Sequence, residues 1–107
     1  MDEAHWPDDE GVPQYFNIED RLDEMTVVRD PVTRTQQAWF NDGSGYLSFD
    51  DQQAICDKVE YVLDQELNGF IIWELSGDVR SDLSTPLLDE VNRKLDYPQT
   101  HDCASAD

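Results

Sequence analysis

Leu67-Asn68-Gly69-Phe70-Ile71-Ile72-Trp73-Glu74-Leu75-Ser76-Gly77-Asp78 is the stretch that decides the fold class. Asn68-Gly69 supplies a left-handed helix stop, and Phe70 to Leu75 is a short apolar run rich in β-branched and aromatic residues. An apolar run without alternation suits a strand covered on both faces, as in a parallel sheet. The stretch therefore predicts a buried strand opening into a Ser76-Gly77-Asp78 loop.

Helices are expected on either side. Asp50 followed by Gln53 has the form of a capping box, and Ile55, Val59, Val62, Leu63 and Leu67 recur on one face, which predicts a helix over about 51–66. Downstream, Thr85 before Pro86 marks a second helix start, with Asp89 and Glu90 near its beginning and Arg93 and Lys94 near its end. Leu87, Leu88, Val91 and Leu95 form the expected buried stripe. Upstream, Pro13 to Phe16 reads as strand-like, and Asn17 with Asp20 as caps of a short turn through Leu22 and Met25. Thr26 to Val28 is a second β segment. Thr33 to Phe40 and Tyr46 to Phe49, joined across Asn41-Asp42-Gly43-Ser44-Gly45, predict a hairpin.

Hairpin, helix, buried strand and helix in that order is the grammar of an α/β protein. Residues 1–10 read as an acidic, solvated tail or linker and 98–107 as a loose tail. Trp6 in the first of these is expected to dock on its own protein, with an exposed sugar platform as the other reading.

Length and charge bound the rest. A chain of 107 residues is too short for a closed (β/α)8 barrel, which takes about 250. Seven Lys and Arg against 25 Asp and Glu leave a formal net charge of −18. Nucleic acid and anionic membranes, both bound through clustered cations, are thereby excluded as partners. A neutral polysaccharide is indifferent to that sign. No apolar run approaches the roughly 20 residues of a bilayer span, and Met1-Asp2-Glu3 lacks the basic and then apolar build of a secretory signal. Cys56 and Cys103 have neither a CxxC spacing nor a clustered His, so no metal site is expected; they read as two free thiols, with one pairing as the alternative. No motif calls for a cofactor.

Candidate chemistry sits at the end of the 70–75 run, because active sites of barrel folds lie at the carboxyl ends of strands. Trp73 offers a flat apolar face for a pyranose ring, or is simply a large core residue. Neighbours on a strand point to opposite sides, so Glu74 faces away from Trp73 and reads as a hydrogen-bond acceptor, and Glu74 with Asp78 makes a poor catalytic pair. Trp39 and Tyr46 on the hairpin are secondary candidates for substrate contact, with Glu74. Asp42, Asp50 and Asp51 read as turn and cap residues, and His5 and His101 as spectators.

YLSFDDQQAICDKVEYV, then LNGFIIWELSGD, then LLDEVNRKL resembles the closing segment of family 18 glycoside hydrolases, the chitinase-like enzymes. In that family a [FY]-D-D element leads into a helix with a K-x-x-Y pattern, followed by a hydrophobic W-E strand. Phe49-Asp50-Asp51, Lys58 with Tyr61, and Trp73-Glu74 match those positions here. The resemblance implies a partial (β/α)8 barrel: the end of an α+β insertion at 11–49, then the seventh helix, eighth strand and eighth helix at 50–97. It implies a sugar-stacking role for Trp73, and chitin or N-acetylglucosamine oligosaccharides as partners of the complete barrel. The family's D-x-x-D-x-D-x-E signature, whose glutamate is the proton donor, does not occur in these residues. The expected function is that of a C-terminal fragment of a chitinase-like hydrolase, inactive alone and carrying no catalytic residue. The alternative is a non-catalytic carbohydrate-binding or barrel-completing interaction protein; in either case the uncovered strand is expected to leave the chain open to self-association. Secretion is implied only if the chain follows the family.

Overall fold

A computed structural model describes residues 1–105. A three-stranded antiparallel sheet, β1 (Met25–Arg29), β2 (Gln36–Phe40) and β3 (Tyr46–Phe49), runs in the order β1-β2-β3. Met25 pairs with Phe40, and Ala38 lies between Val27 and Leu47. Alternation along β2 and β3 gives the sheet two unlike faces. Met25, Ala38, Phe40 and Leu47 turn inward onto Trp6 and Ile18, with Phe49 alongside. Trp39 and Tyr46 turn outward.

Pro13 to Phe16 does not form a strand. Tyr15–Glu19 is instead a short helix, α1, and a 3-10 turn at Leu22–Glu24 leads into β1. The acidic opening, expected as a solvated tail, folds back onto the sheet. Trp6 is 4 % exposed and Arg21 lies over it, 5.1 Å from the ring to the guanidinium carbon. His5 stacks on Phe40 at 4.1 Å, bonds Asp2 through Nδ1 at 2.6 Å and reaches Ser44 Oγ through Nε2 at 2.8 Å. Gly11 closes this loop with φ +85°, where an added Cβ would sit 2.8 Å from the Asp2 nitrogen. His5 is therefore a structural residue and no spectator.

The second half holds α2 (Gln52–Asp64) and α3 (Pro86–Asp96), packed on each other. Asp51, one residue later than expected, caps α2 by accepting from the Ala54 N–H at 2.9 Å, and its other oxygen accepts from Gln36 Nε2 at 2.8 Å. Asp50 pairs with Lys58 instead. The helix ends before Asn68-Gly69, at Asp64 with Gln65 as its C-cap, and Glu66 takes the left-handed conformation with φ 54°.

The strand expected at 70–75 is absent. Phe70–Glu74 has no ladder, the Trp73–Glu74 peptide is cis, and Leu75–Asp78 is a 3-10 turn. A strand needs at least one neighbour to pair its backbone, and the one sheet among the described residues is a meander completed within 25–49. Consequently Ile71 is 96 % exposed rather than buried.

The buried stripe of α3 is also rotated. Pro86, Glu90, Val91 and Lys94 are buried, whereas Leu95 is exposed. The cause is the C-terminal segment, which lies against this face instead of hanging loose. Cys103 is joined to Cys56 on α2, overturning the reading of two free thiols. Lys94 Nζ donates to the carbonyls of Pro98 at 3.1 Å and His101 at 2.9 Å, and the His101 ring bonds Glu90. Buried polar groups with partners cost little, which lets them occupy a stripe meant for leucines. Residues 106–107 of the expected loose tail lie outside the described residues.

All seven cationic side chains are engaged. Arg21 holds Glu24, Arg29 and Arg34 hold Asp57, Lys58 holds Asp50, Arg80 holds Glu19, Arg93 holds Glu90, and Lys94 holds carbonyls. Arg29–Asp57 ties the sheet to α2, and Arg80–Glu19 ties α1 to the turn before α3. Among the described residues no helix is long and apolar enough to cross a membrane.

The Cys56–Cys103 bridge spans 47 residues. A crosslink of that span stabilises by about 4 kcal/mol on chain-entropy grounds, with measured values commonly ~2–4. Reduction in a chelating, metal-free buffer is expected to lower the urea midpoint by an equivalent amount. An unchanged far-UV melt after confirmed reduction would show that the C-terminal segment contributes nothing to the fold.

Candidate functional site

The irregular run at 70–75, left without a sheet, lines a groove of about 960 Å³. Its far walls are Ile55, Val59 and Val62 of α2, Leu87, Leu88 and Val91 of α3, and Val12 to Tyr15 ahead of and within α1. The apolar periodicity of both helices thus survives, aimed at the groove rather than at a filled core. Trp73 stands on its rim, 90 % exposed. No steric cover prevents a flat ligand from reaching its ring. Glu74 is exposed beside it and lines the same groove, so with no strand to alternate, the expected opposition of Trp73 and Glu74 does not apply.

Trp39 and Tyr46 are placed elsewhere. They are cross-strand partners on the outer face of the sheet, 44 % and 52 % exposed, with ring centroids 5.4 Å apart. Neither lines the groove. The four candidate contacts therefore divide into two surfaces: Trp73 and Glu74 on one, Trp39 and Tyr46 on the other.

Several acidic groups along the groove already have structural work. Asp9 Oδ2 accepts from the Gln14 N–H at 3.0 Å and from Asn17 Nδ2 at 2.8 Å, holding the entry to α1. Asp50 is paired with Lys58. Asp78 is buried, and its two oxygens accept from the N–H groups of Leu87 at 2.9 Å and Leu88 at 2.8 Å. It is the cap of α3, whose formal N-cap Thr85 makes no side-chain bond to the backbone. A cap supplied from nine and ten residues upstream leaves no local signature, so sequence reading took Asp78 for a loop residue. Tyr15, on the groove wall and 6.4 Å from the Phe49 ring, was likewise passed over. The apolar Pro13-Gln14-Tyr15-Phe16 run was the signal, misread as β.

Burial pushes the Asp78 carboxyl above its ordinary value, and the two helix N–H groups pull it part of the way back. A raised folded-state value means that the folded chain binds this proton more tightly. The contribution is fully present below the unfolded value of about 3.8 and is lost as pH rises through the raised value. Relative to Asp78→Asn, the wild type should therefore lose stability as pH rises through the window that begins near 3.8. Paired thermal melts of the two chains across that window test it, and a difference that grows in the other direction would be wrong for this assignment. Asp78→Ala, which removes both acceptors, is expected to cost about 1 kcal/mol.

Comparison with known proteins covers most of these elements. The sequence model of "Glycosyl hydrolases family 18" matches residues 3–78, more than half of the chain. "Chitinase ChiA" of Flavobacterium johnsoniae is 38 % identical over 47 residues, which is 44 % of this chain and 3 % of that protein. The chain thus spans a small part of the curated relative it matches.

Proposed function

The chain belongs to glycosyl hydrolase family 18, and on that premise we propose that it is the closing part of a chitinase-like hydrolase acting on β-1,4-linked N-acetylglucosamine polymers. In this reading residues 11–49 are the end of an insertion subdomain, and 50–97 are the last helix, strand and helix of a (β/α)8 barrel. The proton donor belongs to a D-x-x-D-x-D-x-E element outside these residues, and the substrate's own N-acetyl group acts in place of a second carboxylate. This chain contributes Trp73 as the platform under the sugar at the cleavage point. Glu74 is a polar neighbour, and Trp39 with Tyr46 forms a separate, secondary surface.

The observation that carries the reading is Trp73: within the matched span it stands 90 % exposed on the rim of the groove. Such an indole contributes little to packing where it stands, which favours a ligand-facing role over the core alternative. Replacing Trp73 with Ala in the full-length parent is expected to weaken N-acetylglucosamine oligomer binding by about 1 to 3 kcal/mol, by analogy with stacking on aromatics elsewhere. The melting temperature should hold. A core role would show the opposite pattern, a stability loss of about 3 to 5 kcal/mol with affinity of the folded fraction unchanged.

A second reading is favoured by the uncovered side chains of Phe70, Ile71, Ile72 and Leu75, all exposed. Here the chain acts as a barrel-completing piece whose strand finds its neighbours on another polypeptide, or on a second copy of itself. Ile71, 96 % exposed, gains about 1.5 to 3 kcal/mol on full burial and the three half-covered side chains a fraction of that each, enough together to drive association. Purified chain is expected to release no product from chitin oligosaccharides and to sediment as a concentration-dependent mixture. Turnover abolished by Glu74→Gln would refute the assignment of the acid to another segment, and a monodisperse monomer with a sharp two-state melt would remove the second reading.

A further inference from the structure

The Cys56–Cys103 bridge lies among other ligand-type side chains. Cys56 Sγ, a Glu90 carboxylate oxygen and a His101 ring nitrogen all lie within 4.8 Å of one another, with Cys56 and Glu90 buried and His101 largely so. Cys103, the fourth group, is bonded to Cys56 itself and is buried. One sulfur, an imidazole and a carboxylate thus converge where α2, α3 and the C-terminal segment meet, with the second sulfur bonded to the first and facing Asp57 and Glu60. We propose that reduction of the disulfide converts this junction into a zinc-binding site with Cys56, Cys103, His101 and Glu90 as ligands.

The geometry is close to what the metal requires. Zinc–sulfur bonds of about 2.3 Å and zinc–nitrogen bonds of about 2.0 Å in a tetrahedron set the donor atoms roughly 3.3 to 3.8 Å apart. The Cys56, Glu90 and His101 donors, already within 4.8 Å of one another, need only small side-chain rotations, whereas Cys103, whose neighbours at that spacing are Asp57 and Glu60, has to swing toward them once it is no longer bonded. His101 Nε2 now faces Glu90 Oε1 directly, and the ion would enter between them. Arg93 Nη1, 2.6 Å from Glu90 Oε2, lies where it offsets the surplus negative charge of two thiolates and a carboxylate around a divalent ion. Soft sulfur donors with an imidazole select zinc over magnesium or calcium, which prefer oxygen. Asp57 and Glu60, near Cys103 on the other side of the bridge, are oxygen donors only, and Asp57 is held by Arg29 and Arg34.

The chemistry balances with one named co-reactant. A dithiol reductant delivers two electrons and two protons to the S–S bond and is itself oxidised to a disulfide, leaving Cys56 and Cys103 as thiols. Zinc binding then releases both thiol protons, while His101 coordinates as the neutral imidazole. The C-terminal segment is held by a covalent bond under oxidising conditions and by the metal under reducing ones.

The test uses the chain reduced with the dithiol, desalted under argon to remove it, and titrated with cobalt as a spectroscopic stand-in and then with zinc against a chromophoric chelator. One equivalent of cobalt should give tetrahedral d–d bands and thiolate-to-metal charge transfer. The oxidised chain should give neither. His101→Ala should weaken zinc binding about 10-fold or more, and His101→Cys, which restores a donor, should recover it. Circular dichroism on the same samples follows the fold, and a reduced chain that loses helix and regains it with zinc supports the site. The proposal is overturned if the Cys56→Ser/Cys103→Ser chain binds zinc as tightly as the reduced wild type. It is equally overturned if bound cobalt shows no thiolate band, or if metal fails to restore helix to a reduced chain that has lost it.

Discussion

A strand inside a parallel sheet has no hydrogen bonds of its own, because every N–H and C=O is satisfied by a neighbour on one side or the other. That constraint governs Phe70–Leu75, which has the composition of such a strand and lacks the neighbours. Its backbone has no ladder, and its side chains line a groove. From this follows the division of the molecule. The sheet closes its own small core with Trp6 and Ile18, and α2 and α3 pack on each other with the C-terminal segment across them. Polar links join the halves: Arg29 to Asp57, Gln36 to Asp51 and Arg80 to Glu19.

The charge imbalance shapes the interior as well as the surface. The cations are few, and each is bound to a carboxylate or a carbonyl. Glu90 and Lys94 belong in the same account. Their burial is tolerable because Arg93 and His101 satisfy one, and two main-chain carbonyls satisfy the other.

What could be read in the sequence was what is local. The hairpin around Asn41–Gly45, the strand at Thr26–Val28 and the two helices needed only periodicity and turn chemistry, and they stand within a few residues of their expected bounds. The cap of α2 was displaced by one residue because Asp50 and Asp51 are chemically equal, and contact with Gln36 chooses between them. What lay beyond reach depends on distant chain. Cys56 meets Cys103 across 47 residues, Asp78 caps a helix from beyond its first turn, and the stripe of α3 rotates because a segment with no period of its own covers it. For the candidate site, an open Trp73 face was an expectation of its type and position, whereas the loss of the strand around it was not legible, since a buried strand was inferred from composition that the available partners do not support.

The three tryptophans occupy three different surroundings: Trp6 in the core under Arg21, Trp39 half-covered on the outer sheet face, and Trp73 in open solvent. Indole emission shifts to the red with hydration and is quenched on collision in proportion to access. Each ring thus carries an optical label for a separate region, the N-terminal loop, the sheet and the groove. A single emission spectrum, resolved with a soluble quencher, distinguishes loosening of the core from covering of the rim, without any added probe.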